Sequence, residues 1–123
     1  MEMAKILVID DSSFMRRFLR EAFEELGFEV DDLLPVSPLE VVERMKEGRP
    51  DVVLTDYNMP HVDGAQVARM ARRADAAVPV VVLTATRDAE LDASLAKLGV
   101  RLILHKPMTG AAIVKSVQDL LGA

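Results

Sequence analysis

Five short apolar runs separated by amphipathic stretches leave this chain few ways to fold. The runs are "KILVI" (5–9), "FEVDDLL" (28–34), "DVVLT" (51–55), "VPVVVLT" (78–84) and "VRLILH" (100–105), the second being weaker because its centre is acidic. The other four are continuous rather than alternating and rich in branched residues, the pattern of strands covered on both faces in a parallel sheet. The stretches between them carry helical stripes. The first places Phe14, Phe18, Leu19, Ala22, Phe23 and Leu26 on one stripe and stops at Gly27, a residue suited to the left-handed end of a helix. The second opens at Ser37 with Pro38 in the first helical position and Glu40 three residues on, a predicted capping box, and stops at Gly48 and Pro50. A third follows Asp63 and Gly64 with Val67, Met70 and Ala71 inward; a fourth runs from about Asp88 to Gly99; a fifth starts after Thr109.

The pattern is βαβαβαβαβα. Strand starts recur about every 23 residues without shared sequence, so this is a βα rhythm and not a repeat family. Right-handed crossovers turn five such units into an open, doubly wound α/β sheet, because five strands are too few to close an eight-stranded barrel. No linker or low-complexity tract divides the 123 residues, a length that suits one core. One domain over residues 1–123 is therefore expected.

Composition narrows the function classes. Half of the residues are hydrophobic and 28% are charged, too apolar a mixture for a disordered chain. The net charge is -5, and the clustered arginines (Arg16, Arg17, Arg20; Arg69, Arg72, Arg73) stand among acidic neighbours or on one short helix. They read as solvated helix faces, and direct nucleic-acid binding is not expected. There is no cysteine, hence no disulfide frame and no thiolate-bound metal. The apolar core of "MEMAKILVIDD" is too short for a signal peptide, and no apolar run nears the roughly 20 residues that span a bilayer. A cytoplasmic location without membrane contact is the expectation.

In a doubly wound sheet, chemistry sits at the carboxyl ends of the strands, where the strand order reverses. The first strand delivers Asp10 and Asp11 there, the third Asp56, the fourth Thr84 and the fifth Lys106 followed by Pro107. Each has a simpler explanation alone: the aspartates could cap a helix or a turn, the threonine could be an ordinary strand residue, and the lysine could reach to solvent. Together these explanations fail, because three carboxylates in one crevice repel one another. Lys106 supplies one positive charge and a divalent metal the rest. With oxygen ligands only, the metal should be hard, and Mg²⁺ takes one or two carboxylates and completes its shell with water and a phosphate oxygen. A Mg²⁺ site, a lysine and a threonine hydroxyl around an aspartate suit phosphoryl transfer, with the carboxylate as nucleophile giving an acyl phosphate.

With "VIDDS" (8–12), "LTDYNMPHVDG" (54–64), "LTA" (83–85) and "HKP" (105–107), the chain resembles, over essentially its whole length, the receiver domain of two-component response regulators, of which the single-domain chemotaxis regulator is the simplest member. The resemblance implies a flavodoxin-like sheet of order 2-1-3-4-5 and phosphorylation of Asp56 by a histidine kinase or within a phosphorelay. It implies Mg²⁺ held by Asp10, Asp11, Asp56 and the backbone carbonyl of Asn58, phosphoryl oxygens bound by Thr84 and Lys106, and a cis Lys106–Pro107 peptide. Gly64 matches a turn glycine, and Asp63 reads as a helix cap. Asn58 and Thr86 correspond to positions that border the approach of water to the acyl phosphate. The protein would be a signalling switch and not an enzyme, catalysing only its own phosphorylation and dephosphorylation. Its output would be made by a partner protein on the face of the fourth helix, fifth strand and fifth helix.

Two departures stand out. Ile103 occupies the place where receivers usually carry Tyr or Phe, so a ring rotation that follows the threonine is not available. The segment "DDLLPVSPLE" (31–40) replaces the customary small-residue loop. Ile103 motivates an alternative, a receiver-like binding module that works without phosphorylation. A haloacid-dehalogenase-type phosphohydrolase fits less well, because "DDSSF" lacks the Asp-x-Asp pair on the first strand. His61 and His105 share no ligand spacing and are expected to be exposed or packed. The end at "DLLGA" suits both a whole protein and a receiver cut from a longer chain.

Overall fold

The computed structural model describes residues 4–122. Strands β1 (Lys5–Ile9), β2 (Glu29–Leu33), β3 (Val52–Asp56), β4 (Val80–Thr84) and β5 (Leu102–His105) alternate with helices α1 (Ser13–Glu25), α2 (Pro38–Gly48), α3 (Gly64–Ala74), α4 (Ala89–Lys97) and α5 (Gly110–Leu120). All strand pairs are parallel, in the order β2-β1-β3-β4-β5. The chain reverses its direction of winding between β1 and β3, and the carboxyl ends of those two strands flank the crevice.

Side chains alternate across each strand, so the central strands feed two cores. Ile6, Val8, Leu54, Val81 and Leu83 pack with Leu19 and Phe23 of α1 and with Ile113, Val114 and Val117 of α5. Leu7, Ile9, Val53 and Val82 face Val41 and Met45 of α2, Val67 and Ala71 of α3, and Leu95 of α4. This double burial explains why β1, β3 and β4 read as unbroken apolar runs. At the edge, β2 survives its two aspartates because each is met by arginine. Arg44 Nη1 donates to Asp31 Oδ1 at 2.8 Å, and Arg20 Nε donates to Asp32 Oδ2 at 2.9 Å.

Two local expectations are corrected. The stripe of α1 is narrower than the sequence suggests: Leu19 and Phe23 are buried, whereas Phe14, Phe18 and Leu26 are 74%, 41% and 50% exposed. Successive helical residues turn about 100°, so Phe14 and Phe18 lie one position behind the Met15, Leu19, Phe23 line that meets the sheet. Leu26 is already the C-cap, ahead of Gly27 at φ 88°. At α2, Ser37 makes no capping hydrogen bond; Glu40 instead accepts from the Val36 amide at 3.3 Å. The helix ends at Gly48, as the sequence implies, and Arg49, at φ 47°, is its left-handed C-cap. The reciprocal capping box belongs to α3, between Asp63 and Gln66.

Candidate phosphoacceptor pocket

Two adjacent strands bring the acidic groups together. Asp10 follows β1 directly and Asp56 is the last residue of β3; they are 2% and 8% exposed. Asp11, the next residue, is exposed. One carboxylate oxygen from each of Asp10, Asp11 and Asp56 lies within 4.8 Å of the others. At that separation each pair of charges repels by about 3 kcal/mol with an effective dielectric near 20.

The local backbone explains how the chain tolerates this. Asp10 Oδ1 accepts the Ser12 amide at 2.8 Å, and Ser12 Oγ in turn accepts from Met15 and caps α1. The helix cap is therefore Ser12, which frees both aspartates from that task. From α1, Arg16 Nη1 donates to the Asp10 carbonyl at 2.7 Å. Burial pushes the Asp10 carboxyl up to about 6, with Asp56 and Asp11 adding to the rise, while the Ser12 amide and Lys106 oppose it.

Lys106 is the cation in the pocket. Its Nζ donates to Asp56 Oδ1 at 3.0 Å, and its own amide donates to the Thr84 carbonyl at 2.8 Å, which fixes the start of the loop after β5. The Lys106–Pro107 peptide is cis, as the resemblance implied. Thr84 is fully buried, and its Oγ1 accepts the Thr86 amide at 3.0 Å. That bond occupies a lone pair and leaves the hydroxyl hydrogen for another acceptor.

Asn58 is exposed beside Asp11 in an open groove of about 490 Å³ that Tyr57, Met59, Pro60 and Asp63 also line. Gly64 serves through close approach and not through a turn conformation: a Cβ there would stand 2.9 Å from Tyr57 Cα and 3.2 Å from the Asp56 carbonyl oxygen. Its amide donates to the Tyr57 carbonyl at 2.8 Å, tying α3 to the segment just after Asp56. Ile103 is half-buried against the core shared with α2, α3 and α4. His61 and Thr86 are exposed. His105 is neither exposed nor simply packed, because its Nε2 meets Asp92 Oδ2 of α4 at 3.2 Å. Sequence reasoning missed this pair and the Arg16 contact, since neither spacing carries a local signal, and it offered the aspartates as possible helix caps, whereas Ser12 takes that role and its amide holds Asp10.

Residues 6–118 match the family described as response regulator receiver domain. The chain belongs to the response regulator receiver family. This receiver is 34% identical over 122 residues to the chemotaxis protein CheY of Halobacterium salinarum, covering 98% of this chain and 100% of that protein. It is 33% identical over 122 residues to CheY-3 of Vibrio cholerae, covering 94% and 90%. Among solved structures, the receiver superposes on CheY4 of Vibrio cholerae with a TM-score of 0.87 at 26% identity, covering 96% and 98% of the two chains. A beryllofluoride-activated DrrB receiver domain, 24% identical, shares the fold at a TM-score of 0.84 with 99% and 100% covered. Two-component signalling is thus the system to which this receiver belongs, and its three aspartates form an acidic pocket compatible with a divalent metal. No helix among the described residues is long and apolar enough to cross a membrane.

Proposed function

We propose that this receiver is a Mg²⁺-dependent phosphoacceptor that switches a protein-binding surface. The observation that carries the reading is Lys106 Nζ at 3.0 Å from Asp56 Oδ1, beside three carboxylates whose oxygens lie within 4.8 Å of one another. One lysine leaves that cluster short of positive charge, and an all-oxygen donor set fits a hard divalent cation.

Asp10, Asp11, Asp56 and the Asn58 carbonyl would hold Mg²⁺, which when bound supplies neutralisation of the phosphoryl oxygens. Asp56 is the nucleophile. One of its oxygens forms a bond to the phosphorus of a phosphohistidine, the P–N bond of the donor breaks, and the electron pair returns to the imidazole. Lys106 neutralises charge on a phosphoryl oxygen, and the Thr84 hydroxyl donates its spare hydrogen to another. Burial holds the nucleophile at the end of β3, where Asp56 pairs in register with Leu83 of β4 and is 8% exposed. The donor is a histidine kinase or phosphotransfer protein, and the output is a protein contact on α4, β5 and α5. The protein turns over no separate substrate, and residues 1–123 act as a single receiver unit in the cytoplasm.

Intact mass after incubation with acetyl phosphate and Mg²⁺ tests this. A phosphoryl-sized gain, lost in Asp56→Asn and without metal, is the expected result. No gain from folded, Mg²⁺-binding protein would overturn the reading in favour of a phosphorylation-independent binding module, for which Ile103 gives a reason.

A further inference from the structure

The fourth helix begins at Ala89, just after the loop that follows Thr84, and one polar pair ties it down. His105 ends β5 and is the register partner of Thr84 on β4. By strand alternation its side chain lies on the same face as Ile103, the face that α4 covers. There His105 Nε2 meets Asp92 Oδ2 at 3.2 Å. Asp92 belongs to the first turn of α4. Its second oxygen, Oδ1, is the one buried side-chain nitrogen or oxygen among the described residues that has no hydrogen-bond partner.

A carboxylate held inward with one oxygen unsatisfied is an arrangement kept at a cost, and such groups call for an explanation. The loop that leads into α4 supplies one. Thr84 Oγ1 accepts the Thr86 amide at 3.0 Å, and the Asp88 side chain accepts the Glu90 amide at 2.9 Å, so two hydrogen-bonded turns, joined by the backbone through Arg87, lead from Thr84 to the first turn of α4. Any movement of Thr84 toward a phosphoryl group on Asp56 pulls on this path. His105 resists it, because it is anchored to β5 beside Lys106, whose amide bonds Thr84.

We infer that His105 and Asp92 form a latch that holds α4 in its unphosphorylated position, and that drawing Thr84 toward the phosphoryl group releases it. The latch rests on the phosphoacceptor reading above and adds to it a specific positioning residue, His105, for the signal. It supplies a polar restraint on α4 at the strand where Ile103 offers only an aliphatic contact. Release exchanges one contact and one unsatisfied oxygen for solvation of both Asp92 oxygens, which offsets part of the cost of moving α4 and lets a ligand at Asp56 bias its position.

The test is binding of beryllofluoride with Mg²⁺, followed by amide NMR spectra of the whole chain. The variants are His105→Leu, Asp92→Ala, the double variant, and Asp92→Asn as the conservative control for folding. The latch predicts that either single variant binds beryllofluoride roughly fivefold more tightly than wild type, a coupling of ordinary size. It also predicts that the amides of α4 in the unliganded variants move toward their positions in liganded wild type, with no further gain in the double variant. Unchanged affinity with α4 amides at their wild-type positions would make the pair a static strut and overturn the latch, as would weaker binding. If wild type itself fails to bind beryllofluoride, the phosphoacceptor reading falls first and the latch with it.

Discussion

Two groups of aspartates sit on neighbouring strands and are treated in opposite ways. On β2, Asp31 is paired with Arg44 at 2.8 Å, and Asp32 is gripped by Arg20 at 2.9 Å with Arg16 at 4.0 Å. The same arginines also satisfy backbone carbonyls, those of Val30 and Asp32. At the carboxyl ends of β1 and β3, Asp10, Asp11 and Asp56 share one lysine. Charges that close an edge strand are neutralised by the fold itself; charges left short of a counterion mark where the fold depends on something outside it.

The comparison breaks most readily at Lys106. Lys106→Ala should slow phosphoryl uptake from acetyl phosphate by about a hundredfold, the scale of losing one charge-stabilising donor. An uptake rate within a few-fold of wild type would deny the lysine its role. Asp10 gives an effect of comparable size. Its carboxyl is raised from 3.8 to about 6 in the folded protein. The folded state therefore holds this proton more tightly than the unfolded chain, and deprotonation between those values costs stability. Without metal, wild type should gain up to about 3 kcal/mol from Asp10 as the pH falls from 7 through 6 to below 4, relative to Asp10→Asn. Urea titrations of both proteins across that range measure it, and parallel profiles would refute it.

Mg²⁺ sharpens the contrast from the other side. At a hundredfold excess over its dissociation constant it should stabilise wild type by about 2.7 kcal/mol, and Asp10→Asn should lose most of that gain. Arg20→Ala should keep the Mg²⁺ response while losing about 1 to 2 kcal/mol of basal stability, because it leaves Asp32 and the Val30 carbonyl short of a donor. An Arg20 variant that loses the metal response, or an Asp10 variant that keeps it, would show that the two sets of aspartates are not distinct. The smallest effect belongs to Lys115→Ala. Its pair with Asp119 is a solvent-exposed i,i+4 contact, worth within about 0.5 kcal/mol in thermal unfolding.

Much of the fold was legible because buried parallel strands impose a pattern that survives in one dimension. "VVLTD" is fully buried from Val52 to Asp56, and "VVVLT" from Val80 to Thr84, so nothing in either segment was free to vary toward solvent. Where burial is partial the sequence misleads. Phe14 and Phe18 look like core and are exposed, and Ser37 looks like a cap and makes no capping bond. Gly64 was recognised by its motif, but its reason, the 2.9 Å approach to Tyr57, depends on how α3 lies against the end of β3.

By itself the sequence determined the five βα units, the parallel sheet and the polar residues that each strand carries to the crevice, because periodicity and strand ends are local properties. The tertiary structure alone decided which groups share a charge. That Lys106 reaches Asp56 across 50 residues, that Arg20 reaches Asp32, and that His105 rather than a ring at position 103 meets α4 all follow from strand order and helix placement. Electrostatic partners on different elements are set by distances of a few ångströms in space and, unlike the i,i+4 pair of Lys115 and Asp119, no spacing along the chain encodes them.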